Sequence, residues 1–126
     1  MAKEDKFADE MLTDDELDQI SGGSLQQSAD DSHYLNDILY GTQYYKCDQY
    51  GKTSIFLNQS LNTSGPTPRL DISNAWGSLG ISCTLNKFEG NTYKYKGEII
   101  SRRRAYEIAW EKAGRNMNDL PPSWGT

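Results

Sequence analysis

An α+β domain preceded by a separate N-terminal segment is the fold that this sequence predicts, and three observations carry it. Charge divides the chain. Two Lys against eight Asp/Glu give residues 1–23 a balance of −6, while 11 Lys/Arg against ten Asp/Glu give residues 24–126 a balance of +1, which together make the net −5. Such asymmetry separates two pieces with different jobs. Beyond residue 23, short runs alternate apolar and polar residues with the period of two expected of half-buried strands. Near the C-terminus, residues 101–113 change to helical spacing. The expectation is a segment 1–23 that is disordered or marginally helical. A domain over 24–126 follows, with a three- or four-stranded antiparallel sheet and one or two helices.

Residues 3–20 contain no Pro or Gly and few β-branched side chains, a helix-favouring composition. Thr13 and Glu16 form a capping box, and Leu12 and Leu17 are the halves of a hydrophobic staple. Asp14, Asp15 and Glu16 fall in the first turn, where the helix dipole favours anions. Ile20 shares a face with Leu17, and Gly22-Gly23 ends the helix. A helix this short is marginal in isolation, so its few apolar side chains suit recognition by a partner better than a core.

Beyond residue 23, "SLQQSADDS" (24–32) is polar and is read as a loose tail. "HYLNDILY" places Tyr34, Leu35, Ile38 and Leu39 at helical spacing, with Gly41 as the stop. "TQYYKCDQ" and "TSIFLNQSL" are read as strands joined by a turn at Tyr50-Gly51-Lys52. "NTSGPTPR" is read as a loop, and residues 64–80 are poorly patterned. "GISCTLNKF" aligns Ile81, Cys83 and Leu85 on one strand face. "EGNT" turns into "TYKYKGEII", where Tyr93, Tyr95 and Ile99 alternate with Lys94 and Lys96. Ser101 caps the final helix and Gly114 stops it, leaving an irregular tail.

The pattern Leu12-Thr13-x-x-Glu16-Leu17-x-x-Ile20-x-Gly22-Gly23 resembles the double-glycine leader of bacteriocin-type precursors, at all of that pattern's fixed positions. The resemblance covers residues 1–23 only. It implies recognition by a peptidase-containing ABC transporter, with Leu12, Glu16, Leu17 and Ile20 read by its groove. Cleavage would follow Gly23 and free Ser24, and the bare Gly22-Gly23 backbone admits close approach of the peptidase. The precursor is then cytoplasmic and the product secreted. Neither a secretory h-region nor an apolar run of about 18 residues is present. An antibacterial cargo is what the family most often carries, with a target-cell protein, envelope or membrane component as its partner and an immunity protein in the producer. At 103 residues, without a Gly/Ala-rich membrane-seeking stretch, the cargo departs from most such peptides. That keeps open a non-toxic secreted binding or signalling protein, a small envelope-targeting hydrolase and, less in keeping with two cysteines, a modified lanthipeptide.

Export would carry Cys47 and Cys83 into an oxidising compartment and favours a disulfide between them; the alternative is two buried thiols. A lone His33 beside the polar tail is read as an exposed surface residue. Two Cys and one His offer no metal-ligand spacing, and no phosphate-cradling loop exists. The chain is therefore not expected to be an enzyme or to hold a cofactor or metal. Arg102, Arg103 and Arg104 form the one basic patch. They offer contact with an anionic surface, or a solvated face paired with Glu98, Glu107 or Glu111. A cargo balance of +1 argues against nucleic acid. Eight Tyr and three Trp suit either an aromatic core or a binding surface.

Overall fold

The computed structural model describes residues 24–60, 64–85 and 90–126. The elements are α1 (Ser24–Ile38), α2 (Lys52–Leu57), α3 (Pro68–Ser78), β1 (Ile81–Thr84), β2 (Thr92–Tyr95), β3 (Glu98–Ile100) and α4 (Arg102–Lys112), followed by a 3-10 turn at Met117–Asp119. The strands form one antiparallel sheet in the order β1-β2-β3. The α+β class and the three-stranded sheet are as expected from the sequence. Among the described residues, four helices stand where one or two were expected.

The largest difference lies in residues 24–32, which are the first half of a 15-residue helix and not a loose tail. Leu25, Ser28, Ala29, Asp31, Ser32, Leu35, Ile38 and Leu39 are buried at helical spacing. Three of those inward positions are polar, and this hides the helical period from a hydrophobicity reading. Their polar groups are satisfied inside the protein: Ser32 Oγ donates to Ala29 O at 2.7 Å, and Asn91 Nδ2 donates to Ser28 Oγ at 2.9 Å.

The expected strand over residues 42–49 does not form, because backbone groups of this stretch and of Tyr50 bond to helix side chains instead of a ladder. Tyr45 N donates to Ser78 Oγ, Asp48 N to Asp71 Oδ2 and Tyr50 N to Ser32 Oγ, while Cys47 O accepts from Asn36 Nδ2. The expected strand at residues 53–61 is α2 as far as Leu57, and Gly51 is its N-cap, not a hairpin turn. Arg69 caps the other end of α2, donating from Nε to Ile55 O and from Nη2 to Phe56 O. The poorly patterned stretch 64–80 contains α3. Thr67 accepts from Leu70 N as its N-cap and Pro68 opens its first turn.

β1 buries Ile81 and Cys83 as expected. The run from Thr92 to Ile100 is a hairpin, not one strand. Lys96 and Gly97, at φ +53° and +84°, form the two-residue turn whose twist suits paired strands. The reversal puts Ile99 opposite Lys94 and leaves it 72% exposed. α4 is capped by Ser101, which accepts from Arg104 N, and is followed by Gly114 at φ +80°. The C-terminal residues pack closely. Leu120 is buried, and Trp124 stacks on Tyr34 at 4.1 Å. Arg103 Nη1 holds that segment by donating to Pro121 O and Trp124 O, both at 2.7 Å. A Cβ on Gly125 would lie 2.8 Å from Arg103 Cα, so only glycine fits there.

At the centre sits Asp31 of α1, fully buried. Arg102 of α4 donates to its Oδ1 from Nε at 3.0 Å and Nη2 at 2.8 Å. The hydroxyls of Tyr93 (β2) and Tyr106 (α4) also donate to it. Burial pushes the Asp31 carboxyl above its ordinary range, while Arg102 and the two hydroxyls act against that shift. Trp76 of α3 meets both tyrosine rings edge-on at 5.3 Å. The carboxylate thus ties together three elements distant in sequence. Removing its cation leaves a buried charge unpaired. Arg102→Met is expected to destabilise the protein by about 3–5 kcal/mol in urea unfolding. Adding Asp31→Asn to it should recover part of that loss. A cost for Arg102→Met below about 1 kcal/mol would place the pair among weak surface bridges.

Candidate functional site

The positions Leu12, Glu16, Leu17, Ile20, Gly22 and Gly23, expected from sequence to form a leader, lie outside the described residues. Ser24, the residue after the expected cut, heads α1. The remaining sites read from sequence lie within the described residues.

Cys47 and Cys83 are both buried and stand here as free thiols, the alternative to the expected disulfide. Cys47 lies in the loop along α1, where its Sγ donates to Ser32 O at 3.7 Å. Cys83 lies in β1 opposite Tyr93. Burial pushes the Cys47 thiol up to about 12 and raises that of Cys83 as well, so both behave as small protonated core groups. The arginine run is also not a shared anionic-surface contact. Arg102 is taken by Asp31, with a side chain only 12% exposed, and Arg103 is taken by the C-terminal carbonyls. Arg104 alone of the three is exposed, and its Nη1 lies 3.2 Å from Glu107 Oε1. Three consecutive helical residues point in three directions, so a run of like charge need not form a patch. His33 is exposed, as expected.

What the sequence reading missed is a groove between α1 and the first turn of α2, with a volume of about 500 Å³. One wall is a helical stripe on α1, Gln26, Ala29, Asp30, His33 and Tyr34. The other is the segment from Tyr50 to Ser54. The stripe follows the i, i+3, i+4, i+7, i+8 spacing of a single helix face. That spacing would have been legible had residues 24–32 been read as helix.

Both aromatic walls are fixed from behind. Tyr50 donates its hydroxyl to Asp71 Oδ2 at 2.5 Å and its backbone N–H to Ser32 Oγ at 2.9 Å. Tyr34 is stacked on Trp124 and edge-on to Tyr106 at 5.7 Å. Asp71, nearly buried in α3, also accepts from Tyr45 Oη at 2.6 Å and from Asp48 N at 3.0 Å. Within the stripe, Gln26 Nε2 donates to Asp30 Oδ1 at 2.8 Å. The Asp30 carboxylate is therefore held by an amide of its own helix. Rigid rings, a positioned carboxylate and the hydroxyls of Thr53 and Ser54 are the chemistry of a binding surface. No group of three or more His, Cys, Asp or Glu side chains able to hold a metal occurs among the described residues.

Asp31 and Asp71 have a common feature: each carboxylate accepts hydrogen bonds from two tyrosines. Burial and the charge of Asp31 raise the ionisation pH of Tyr93 and Tyr106. Burial and the bond to Asp71 raise that of Tyr50, and chiefly the bond to Asp71 raises that of Tyr45. In the unfolded chain these hydroxyls ionise near their ordinary value of about 10. The unfolded state therefore loses protons first, and stability is fully present below about pH 10 and falls as pH rises beyond it. Ultraviolet titration should show these four tyrosines ionising only together with loss of the helical circular dichroism signal. Ionisation of all eight near pH 10 with the fold intact would contradict the hydrogen bonding described. Comparison of the chain with protein-family models, with curated proteins and with solved structures found no match.

Proposed function

We propose that this chain is the precursor of a secreted, bacteriocin-like small protein, cleaved after Gly23 and exported by a peptidase-containing ABC transporter, with an antibacterial product. The observation that carries the reading is the joint placement of Leu12, Thr13, Glu16, Leu17, Ile20, Gly22 and Gly23. The charge division agrees, since a segment of −6 leaves a nearly neutral product. No helix among the described residues is long and apolar enough to cross a membrane. A folded cargo with a groove of positioned polar groups also favours a second reading, a secreted binding protein without toxicity.

The product recovered from the medium is expected to have the mass of residues 24–126, beginning at Ser24. Changing Gly22 and Gly23 together to Val should abolish processing, because Cβ atoms obstruct the peptidase cleft. Leu17→Ala or Ile20→Ala should slow processing and leave the unfolding midpoint of the cargo unaltered. A secreted product that still begins at Met1 would refute the leader reading. Inhibition of neighbouring strains by the product separates the toxin from the binder.

A further inference from the structure

We propose that the groove between α1 and α2 is a binding site for a neutral, hydroxyl-rich ligand, a linear oligosaccharide. The inference goes beyond leader processing and stands or falls without it. Charge is the first argument. The lining has one carboxylate, Asp30, and one ammonium, Lys52, so it carries no surplus cation for a phosphate and no surplus anion for a basic peptide. Hydrogen-bonding inventory is the second. A sugar hydroxyl donates once and accepts, and therefore needs donors and acceptors side by side. Gln26, Asp30 and His33 supply both along one helix face, and Thr53 and Ser54 supply both from the opposite wall.

Spacing is the third argument. Positions three and four apart on a helix lie about 5–6 Å from one another, a repeat close to that of successive rings in a linear oligosaccharide. Gln26, Asp30 and His33 would each meet a different ring or ring edge. Rigidity is the fourth. A flexible wall loses affinity to ordering, whereas Tyr50 is pinned by Asp71 and Ser32, and Tyr34 by Trp124. These tyrosines supply apolar ring surface beside the polar groups, as the C–H faces of a pyranose require. The groove is open to solvent along its side, which suits a chain lying across it.

The test is an amide chemical-shift titration of the full chain, uniformly labelled with nitrogen-15, against chitotriose and maltotriose. Inorganic phosphate and a tetralysine peptide serve as the charged comparisons. At least one trisaccharide is expected to shift Asp30, His33, Thr53 and Ser54 saturably, while phosphate and tetralysine leave them unmoved. Asp30→Ala should weaken that binding by about 10- to 100-fold, the loss of a hydrogen bond to a charged group. His33→Ala, at an exposed position, should weaken it with the unfolding midpoint unchanged. The proposal is overturned if neither trisaccharide shifts these amides, if the shifts map elsewhere, or if phosphate or tetralysine reproduces them. It is equally overturned if Asp30→Ala and His33→Ala both bind as the parent does. None of these results depends on cleavage after Gly23.

Discussion

A single buried carboxylate sets the terms for the rest of this domain. Taking Asp31 out of water carries a desolvation cost of several kcal/mol, and only converging donors offset it. The fold supplies them from two distant places: Tyr93 from β2, and Arg102 and Tyr106 from α4. Those donors converge only when α1 lies across the start of α4 with β2 beneath, so the requirement fixes their relative placement. A core of interchangeable aliphatic side chains would tolerate sliding. A carboxylate with four donors has one arrangement.

The second carboxylate, Asp71 of α3, repeats the device. Asp71 gathers Tyr45, Tyr50 and the backbone of Asp48, and so anchors the connection over residues 39–51, which has no ladder of its own. The arginines do comparable work at chain ends. Arg69 satisfies the last carbonyls of α2, Arg115 those of α1 at Asp37 and Ile38, and Arg103 those of the C-terminal segment. With 36% hydrophobic residues, the chain is lean in core-forming side chains. Polar side chains aimed at backbone groups provide positional definition that packing alone would supply in a richer sequence.

That same device explains which parts were legible in advance. α4 was readable because its signals are local: Ser101 as cap, Ala105, Ile108 and Ala109 on one face, Gly114 as stop. β1 was readable from Ile81 and Cys83. α1 was half readable, because Leu35, Ile38 and Leu39 show the period while Ser28, Asp31 and Ser32 interrupt it. An inward-facing Asp looks like a surface residue until its partner is known, and Arg102 lies 71 residues away. The segments 42–49 and 53–61 alternate well enough to suggest strands, but alternation states only which side chains turn inward. It does not say whether the backbone finds a ladder, and here helix side chains took its place. Thr67-Pro68 was a local signal for α3 hidden by a surrounding Gly-Pro-rich stretch. The groove was missed for the same reason as the first half of α1. Its stripe exists only once residues 24–32 are helical.

The groove also shows why the arginine run was misleading. Sequence proximity concentrates charge on paper, but consecutive positions on a helix diverge by about 100°, and two of the three guanidiniums turn inward. Groups that do share a surface are those at helical or cross-element spacing, such as Gln26, Asp30 and His33 opposite Thr53 and Ser54. Each groove wall is secured by the polar devices that secure the core, Tyr50 through Asp71 and Tyr34 through the Arg103-held C-terminal segment. Folding of this domain and organisation of its groove are therefore coupled. The carboxylates that define the fold also hold the surface in the geometry from which it can recognise a ligand.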